Sequence, residues 1–371
     1  MTSTAPTTTS PLLGEHRELG ATFTDFAGWQ MPLKYGSELT EHHSVRRTAG
    51  LFDLSHMGEI EVSGPQAGAA LDFALVGELS KIAVGRAKYS LMCDADGGVI
   101  DDLVVYRLAD EHFLVVANAA NAPAVATEFT TRAQGFDATV TDRSGDTALI
   151  AVQGPASASI VQSLAPQQLA DTIAALKYYA VTTAEVAGLE VLLARTGYTG
   201  EDGFELYVPA GQAVALWRAL ADATAGADGS PAGLACRDTL RLEAGMALYG
   251  HELTLATNPY EAGLGKVVRL TKDFVGRDAL QRLSEQPAQR TLVGLKGAGR
   301  RAARAGYSLH QADNAEPVGV VTSGALSPTL GYPIALAYLD VDLAEPGTAL
   351  TVDVRGKREP FEVTPSPFYR R

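Results

Sequence analysis

The sequence predicts an α+β fold that ends in a small β-barrel or sandwich. The segment EIEVSGPQAGAALDFAL (59–75) has the pattern of a strand, a Gly-Pro turn and an amphipathic helix, and ALIAVQGPASASIVQSL (148–164) repeats it. Strands and helices alternate without strict βαβ repetition, which favours mixed or antiparallel sheets over a doubly wound parallel sheet. From about Phe274 onward, short β-type runs alternate with Gly/Pro turns, as in a small all-β domain.

The length predicts more than one domain, because 371 residues exceed the usual size of a single core. The Ser/Thr-rich start predicts a disordered tail over 1–12. A helix is expected in FVGRDALQRL (274–283), and EQPAQR (285–290) is a candidate linker. We therefore expect one region over 13–275 and a C-terminal domain over 276–371.

Composition and charge disfavour several classes of protein. The chain is 46% hydrophobic and 20% charged, as is typical of a globular protein, and its net charge is −13. Because the acidic residues are spread along the chain, broad binding to nucleic acid or to an anionic membrane is disfavoured. No run approaches the ~18 consecutive apolar residues of a membrane span.

The cysteines and the N-terminus predict a cytoplasmic protein. Cys93 and Cys236 are too few and too far apart for a disulfide framework or a zinc motif, which fits a reducing compartment. The segment MTSTAPTTTSPLL lacks the basic-then-apolar layout of a secretory signal, and it lacks the arginines of a mitochondrial transit peptide.

The segment GGVIDDLVVY (97–106) places two aspartates against an apolar strand. Carboxylates are rarely buried without a partner, so one interpretation is a solvated turn that continues from DADGG upstream. If the strand instead extends back through the pair, Asp102 shares a face with Val104 and Tyr106, and Asp101 lies on the opposite face. At most one of the two aspartates then faces a given pocket.

The segment RTGYTGEDGFELYV (195–208) is a Gly-rich turn that leads into a strand carrying Glu205, with Tyr198 in the turn. A carboxylate fixed on a strand can accept two parallel N–H bonds from an amidine-like ring edge, such as that of an aminopyrimidinone. An exposed Glu205 on an ordinary hairpin is the alternative.

The segment CRDTLRLEAGMALYGHEL (236–253) is predicted to be helical, so Arg237 and Arg241, four residues apart, share a face. Two arginines on one face could clamp a carboxylate. Surface ion pairs with Asp238 or Glu243 are the alternative.

The histidines give little signal for catalysis or metal binding. His56 in LFDLSHMGEIEV (51–62) could act as a base, but no nearby Ser or Cys completes a triad. His42 and His43 are adjacent and so face different sides of a helix, which disfavours a metal site. A lone histidine such as His251 is usually structural.

Seven segments occur in a set order that resembles the aminomethyltransferase, or T-protein, family of the glycine cleavage system. They are DFAGWQMPLKY (25–35), GLFDLSHMGE (50–59), GGVIDDLVVY (97–106), ALIAVQGP (148–155), RTGYTGEDGFEL (195–206), CRDTLRLEAGMALYG (236–250) and VTSGALSPTLGYPIALA (321–337). The resemblance extends from about Leu13 to the C-terminus. Each segment is weakly specific alone, whereas their order over most of the chain is specific.

The resemblance implies a fold and a reaction. The fold would be a three-domain cloverleaf around a central folate pocket, with two interleaved α+β domains in 13–275 and a small β-barrel in 276–371. The reaction would transfer the one-carbon unit of an aminomethyl group, carried on the lipoyl arm of the H protein, to tetrahydrofolate. The products would be 5,10-methylenetetrahydrofolate, ammonia and the dihydrolipoyl H protein, with tetrahydrofolate as co-substrate and no metal, flavin or pyridoxal phosphate.

The resemblance also implies site residues. Asp102 would be the catalytic carboxylate that faces the reactive folate nitrogens, Glu205 would bind the pteridine, and Arg237 would be the site arginine of the helix. Further residues that would line the same cavity are Tyr198, Asn118, Tyr89, Met57 and Tyr106. The chain departs from the family pattern at Cys236, where alanine is usual, and at His251, where glutamine is common.

Other functions share parts of this pattern. A folate-dependent demethylase would keep the folate pocket and act on a free small molecule, whereas the related oxidases carry a flavin domain that does not fit this length. A non-enzymatic folate-binding factor of iron–sulfur assembly would show a KGCY-like signature with a reactive cysteine. This chain has MALYGHEL (246–253) in that place and keeps the IDD sequence.

Overall fold

The computed structural model describes residues 8–311 and 316–371, which divide into two compact units. The first unit comprises the described residues up to Ala74, Leu79–Tyr89 and Leu103–Asp238. The second unit comprises Leu75–Glu78, Ser90–Asp102 and the described residues from Thr239 to Arg371. The domain boundary expected from the sequence at 275/276 stays a prediction.

The helices are α1 (Leu13–Glu18), α2 (Glu38–Arg47), α3 (Ala67–Ala74), α4 (Ala122–Arg132), α5 (Ser157–Ser163), α6 (Gln167–Ala175), α7 (Ala213–Gly226), α8 (Leu234–Glu243) and α9 (Arg277–Ser284). The strands are β1 (Thr8–Thr9), β2 (Thr22–Phe26), β3 (Trp29–Lys34), β4 (Gly50–Asp53), β5 (Gly58–Ser63), β6 (Arg86–Cys93), β7 (Val99–Ala109), β8 (His112–Ala117), β9 (Thr139–Asp142), β10 (Thr147–Gln153), β11 (Val181–Val186), β12 (Leu189–Ala194), β13 (Gly203–Pro209), β14 (Ser230–Pro231), β15 (Arg290–Gly297), β16 (Ser308–His310), β17 (Gly319–Leu326), β18 (Pro333–Asp340), β19 (Ala349–Val354) and β20 (Lys357–Thr364). Within the described ranges, no helix is both long and apolar enough to cross a membrane.

Helices and largely antiparallel sheets confirm the predicted α+β class. In the first unit, a three-stranded sheet has the order β1-β3-β2 and a six-stranded sheet has the order β11-β12-β13-β10-β4-β14. The pairs β1–β3 and β14–β4 are parallel, and the pairs that join β11, β12, β13, β10 and β4 are antiparallel. The core of the six-stranded sheet buries Val152, Leu206 and Trp217. This core fixes strand β13, which carries Glu205.

Both predicted strand–Gly-Pro–helix segments are present, as β5 followed by α3 and as β10 followed by α5. Gly64 and Gly154 have φ values of +122° and +134°, where L side chains are strained. A Cβ atom on Gly154 would lie 2.5 Å from the carbonyl oxygen of Thr48. Pro155 precedes the N-cap residue Ala156, so it belongs to the turn rather than to the first helical turn.

A five-stranded sheet has the order β6-β7-β8-β5-β9. Strand β7 pairs with β8, and β5 pairs with β8 and β9, all antiparallel. The aspartate pair lies within β7. The residues of β7 up to Asp102 belong to the second unit, and those from Leu103 onward belong to the first.

The second unit contains the predicted C-terminal barrel. Six strands form a closed barrel in the order β15-β18-β17-β16-β19-β20, and the antiparallel pair β15–β20 completes it. Its core buries Leu295, Ala335, Leu350 and Phe361. Five β-type runs of the sequence overlap strands β15, β17, β18, β19 and β20. In that order they are TLVGLK, EPVGVVTSG, IALAYLDV, ALTVDVRG and EPFEVTPSPF. Strand β16 has three residues, which is too short for an alternating pattern to indicate it.

The predicted tail is corrected where the structure describes it. Residues 1–7 lie outside the described residues. Strand β1 pairs with β3, and the side chain of Leu12 is fully buried, so disorder is wrong for residues 8–12. The sequence missed this segment because two paired threonines resemble any Ser/Thr-rich tail.

The helix predicted over 236–253 is shorter than expected. Helix α8 ends at Glu243, and Gly245 adopts a left-handed φ of +66°. A left-handed glycine after the last turn is a common helix terminator. The rest of this segment forms turns.

Candidate active site

Glu205 lies in a hydrogen-bonded cluster of the first unit. Its Oε2 atom accepts hydrogen bonds from the hydroxyl groups of Thr196 and Tyr106, the second at 3.3 Å. Tyr106 Oη also lies 3.0 Å from Thr196 Oγ1, and Tyr207 Oη donates to Tyr106 Oη over 3.3 Å. The side chain of Glu205 is half-buried. Glu205 is therefore held by neighbouring side chains and is not the exposed hairpin residue of the alternative interpretation.

Both donors reach the same carboxylate oxygen. Among the residues that the structure describes, Oε1 of Glu205 accepts no hydrogen bond, so it can still accept one from a ligand. Burial raises the pKa of Glu205, whereas the hydroxyl of Thr196, the positive charge of Arg237 and the hydroxyl of Tyr106 oppose that rise. These three neighbours therefore favour the ionised form of Glu205, which burial alone disfavours.

Arg237 and Tyr198 form a cation–π pair. The guanidinium Cζ of Arg237 lies 4.6 Å from the ring centroid of Tyr198. Both side chains are half-buried. The charge of Arg237 also lowers the pKa of Glu205, so Arg237, Tyr198 and Glu205 form one electrostatic neighbourhood in the first unit.

The predicted clamp of two arginines is wrong. Arg241 belongs to the second unit, where it is 1% exposed and pairs with Glu252 at 3.0 Å. It also donates to Ser323 Oγ over 2.8 Å and to the carbonyl oxygen of Met246 over 3.2 Å. Arg241 is therefore a buried structural residue, and helical spacing alone did not reveal its partners.

His56 is a buried neutral imidazole. Its ring meets Phe26 edge-on at 5.4 Å, and its buried Nδ1 atom has no hydrogen-bond partner in the part of the chain that the structure describes. Burial and then the charge of Arg237 lower the pKa of His56 to about 4. At neutral pH, His56 therefore has no proton to give as an imidazolium acid.

Three further predicted residues are half-buried: Met57, Asn118 and Tyr89. Met57 lies just before β5, and Tyr89 lies within β6. Asn118 follows β8, and its carbonyl oxygen accepts the backbone N–H of Asn121 and of Ala122 at the start of α4. The role of these three residues in a pocket stays a prediction.

Strand β7 extends through the aspartate pair, as one interpretation of the sequence predicted. Asp101 is fully buried, like Val99 and Leu103, whereas Asp102 is half-buried. This alternation puts the two carboxylates on opposite faces. The turn interpretation applies to the preceding residues, where Asp94 Oδ1 accepts the backbone N–H of Gly98 over 2.8 Å.

Tyr249 is a neighbour of the aspartate pair within the second unit. Burial raises its pKa, and the charges of Asp101 and Asp102 raise it further. Its phenol therefore keeps its hydrogen beside the two carboxylates. The start of β7 is fixed nearby, because the N–H of Val99 donates to the carbonyl oxygens of Thr254 and Thr257.

Metal-binding groups are sparse. In the part of the chain that the structure describes, no cluster of three or more His, Cys, Asp or Glu side chains could hold a metal ion. Cys93 and Cys236 are buried, and no disulfide joins them.

Sequence reasoning missed Thr196, Tyr207 and Tyr249. Tyr207 lies two residues after Glu205 on β13, so period-two alternation places it on the same face, and this signal was available. Thr196 lies near Glu205, and Tyr249 lies near Asp101 and Asp102. Both residues lie outside regular helices and strands, where no simple periodicity predicts the direction of a side chain.

The chain matches two family models along its length. The GCVT N-terminal domain matches residues 12–272, and the glycine cleavage T-protein C-terminal barrel domain matches residues 290–370. Both matches agree with the α+β region and the barrel described above.

Curated proteins and a solved structure are similar to the chain over nearly its whole length. An aminomethyltransferase of Cutibacterium acnes is 58% identical over 370 residues, covering 98% of each chain. An aminomethyltransferase of Streptomyces avermitilis is 57% identical, covering all of both chains. The crystal structure of the glycine cleavage system aminomethyltransferase T from Bartonella henselae superposes with a TM-score of 0.88 at 37% identity and covers 97% of this chain and 98% of that chain.

Proposed function

Because the chain belongs to the glycine cleavage T-protein family, we propose that it moves the one-carbon unit of an aminomethyl group from the lipoyl arm of the H protein to tetrahydrofolate. The products are 5,10-methylenetetrahydrofolate, ammonia and the dihydrolipoyl H protein. The observation that carries this function is the match at 58% identity over 98% of both chains to a protein named aminomethyltransferase. A full-length match at this level supports the whole activity rather than a shared domain.

The alternatives are not favoured. A folate-dependent demethylase and a non-enzymatic iron–sulfur assembly factor would both use a related folate pocket. Six relatives that are 50–58% identical to the chain, and that match it over nearly their full length, are all named aminomethyltransferase. The reactive cysteine expected of an assembly factor also has no counterpart in MALYGHEL.

Tetrahydrofolate is the proposed co-substrate, and Glu205 is its proposed anchor. Oε1 of Glu205 can accept an N–H of the pteridine amidine edge, while Oε2 is held by Thr196 and Tyr106. Arg237, stacked on Tyr198, supplies positive charge for an anionic group of the ligand. Met57, Asn118, Tyr89 and Tyr106 complete the proposed lining.

Asp102 is the proposed catalytic carboxylate. Breaking the carbon–sulfur bond of the aminomethyl group creates positive charge on a group resembling CH2=NH2+. A fixed carboxylate stabilises that charge without reorganising during the reaction. It can also accept a proton as a folate nitrogen attacks and ammonia leaves. The proposed chemistry uses tetrahydrofolate alone, with no metal, flavin or pyridoxal phosphate.

A coupled assay tests this function directly. The purified chain, an aminomethylated lipoyl H protein and tetrahydrofolate should give methylenetetrahydrofolate and ammonia in equal amounts. The same mixture without the chain is the control, since the three components could react slowly on their own. Transfer of one carbon to tetrahydrofolate from an added free small molecule, with no turnover of the H protein, would contradict the proposal and favour a demethylase.

The lipoylated H protein is the proposed partner, and we propose that it docks on basic residues of the second unit. Arg301, Arg304 and Arg355 line a cavity of about 410 Å³ with Ala302, Tyr307 and Val354. Arg304 is anchored by donating to the carbonyl oxygen of Gly324 over 3.1 Å. The three arginines make one basic patch in a chain of net charge −13, which suits an acidic partner.

The sequence has a second basic segment, GKVVRLTKDFVGR (265–277), which is a weaker candidate for docking. Arg277 lies 3.2 Å from Asp278 and 3.9 Å from Asp273, and Lys272 donates to the carbonyl oxygen of Leu75 over 2.6 Å. Its charges are thus partly neutralised or engaged with the backbone. In the segment KGAGRRAARAG (296–306), Arg301 likewise lies 3.2 Å from Glu359, so the preference for this segment rests on the cavity that Arg301 and Arg304 line together with Arg355.

Reversing the charge of this patch should weaken the encounter with the H protein. Changing Arg301 and Arg304 of this patch and the adjacent Arg300 together to Glu is expected to raise the KM for the H protein by about tenfold or more and to leave the Kd for tetrahydrofolate unchanged. Added salt should raise the wild-type KM through screening. The matched control is Arg282→Glu, a charge reversal at an exposed residue of α9. A wild-type KM that is flat from low to physiological salt would rule out electrostatic docking.

The proposed location is the cytoplasm. It is supported by the two buried cysteines, which no disulfide joins and which fit a reducing compartment. Cell fractionation with an antibody against the chain would test it.

A further inference from the structure

Three hydroxyl groups form a continuous chain behind Glu205. Tyr207 Oη lies 3.3 Å from Tyr106 Oη, Tyr106 Oη lies 3.0 Å from Thr196 Oγ1, and Thr196 donates to Glu205 Oε2. The three residues are 5%, 0% and 4% exposed in that order, so solvent does not supply competing partners. The chain connects the half-buried carboxylate to the core of the first unit.

The hydrogens of this chain can point in only one direction while Glu205 is ionised. Thr196 has one hydroxyl hydrogen, and it is given to Glu205 Oε2. The hydrogen of Tyr106 must then be donated to Thr196 Oγ1 or to Glu205 Oε2, because Thr196 has none left to offer. Tyr207 donates to Tyr106. Every hydroxyl dipole is therefore directed toward the carboxylate, and such chains strengthen their own bonds.

Little else around Glu205 competes with this chain. The residues paired with Glu205 across the sheet are Ala151 on β10 and Ala194 on β12, and neither carries a charge. The charged group that acts on Glu205 is Arg237, from α8. Burial raises the pKa values of Tyr106 and Tyr207 well above their usual range, so both phenols keep their hydrogens at working pH.

Glu59 is an acid that acts on Tyr207, at the far end of the chain. It is fully buried, and both of its carboxyl oxygens lack a hydrogen-bond partner among the described residues. Burial and then the charge of Asp142 raise the pKa of Glu59 well above its usual range. Burial therefore favours the uncharged form of Glu59, which does not draw the hydrogen of Tyr207 away from Tyr106. Besides Glu205 and Tyr207, Tyr179 is a titratable group that acts on Tyr106, and its side chain is also a phenol.

We propose that Thr196 and Tyr207 are positioning residues for folate binding. Together with Tyr106 they form a one-way chain of hydroxyl donors that holds Oε2 of Glu205, keeps the carboxylate ionised and leaves Oε1 for the N–H donors of the pteridine. This inference rests on the proposed function, because it assigns a role to groups behind the folate anchor. It adds two residues that do not touch the ligand.

The chain has a consequence for pH. The ionised form of Glu205 accepts the pteridine hydrogen bond, and the protonated form does not. Because burial raises the pKa of Glu205 in the free enzyme, folate affinity is full above that raised pKa and falls as the pH drops through it. Removing a donor from the chain raises the pKa of Glu205 further, so the midpoint of this loss moves to higher pH.

The test is the affinity for tetrahydrofolate, measured by calorimetry under argon as a function of pH. Thr196→Val keeps the shape of the side chain and removes the hydroxyl, and it should move the midpoint up by about one pH unit or more. At pH values below the wild-type midpoint the affinity should fall by about tenfold, and it should recover at higher pH. Tyr207→Phe should shift the midpoint in the same direction by less, since it removes a donor one step further away. Thr196→Ser keeps the hydroxyl donor, so its tetrahydrofolate affinity should depend on pH as that of the wild type does.

Two controls separate this role from a loss of packing. Tyr338→Phe removes a buried hydroxyl in the barrel, where it donates to the carbonyl oxygen of Glu252, and should not move the midpoint. Glu205→Gln should abolish the pH dependence. Equal loss of affinity at every pH in Thr196→Val would overturn the inference, because a merely structural role predicts that pattern. A wild-type chain that binds no tetrahydrofolate would instead overturn the proposed function.

Discussion

Asp102→Asn is expected to lower turnover by about 100- to 1000-fold while changing tetrahydrofolate affinity much less. The substitution keeps the shape of the side chain and removes the negative charge that would stabilise an iminium-like transition state. The scale is that of removing one fixed group from an oxyanion hole, which is the same effect with opposite sign. The measurement is kcat in the coupled assay with the H protein and tetrahydrofolate both saturating.

Asp101→Asn is the matched control for this substitution. The two residues are adjacent in β7, yet Asp101 is fully buried and Asp102 is half-buried. We expect Asp101→Asn to cost stability, because it changes a buried polar group, but to keep most of the turnover of the enzyme that remains folded. Activity is therefore divided by the folded fraction from circular dichroism. Loss of turnover in Asp101→Asn with a near-normal Asp102→Asn would show that the catalytic face of the strand was assigned wrongly.

The sequence was informative wherever local geometry decides the structure. Alternation along a strand predicts opposite faces for Asp101 and Asp102 if the strand includes them, and β7 has that alternation. The Gly-Pro turns were recognisable because few residues other than glycine tolerate the φ values of Gly64 and Gly154. Short runs with Gly/Pro turns predicted the barrel in the same way.

Contacts between distant parts of the chain could not be predicted in this way. Arg241 shares a helical face with Arg237 by spacing, but it hydrogen-bonds to Ser323, which is 82 residues away. The Tyr207–Tyr106 hydrogen bond joins residues 101 apart. Both pairings depend on which helices and strands come together in the folded chain, and no motif within a single segment encodes that. The anchor Glu205 was therefore predicted from its motif, whereas the donors that hold its charge were not.

The folate anchor gives the second large effect. Glu205→Ala and Arg237→Ala should each weaken tetrahydrofolate binding by about 1.5–3 kcal/mol, as is typical of a lost charged hydrogen bond. Arg237→Ala also loses the stacking on Tyr198, which contributes about 0.5–1 kcal/mol. Calorimetric titration with tetrahydrofolate measures both losses directly.

Arg237→Lys separates the charge of the arginine from its shape. A lysine keeps the positive charge beside Glu205, but it lacks the planar, two-pronged donor group that can bind an anionic ligand and stack on Tyr198. We therefore expect Arg237→Lys to recover only part of the affinity lost in Arg237→Ala. Because the lysine still offsets the raised pKa of Glu205, it should keep the pH midpoint of binding nearer to the wild-type value than Arg237→Ala does. Unchanged tetrahydrofolate affinity in both alanine variants would exclude Glu205 and Arg237 as ligand contacts, and full rescue by lysine would reduce the role of Arg237 to its charge.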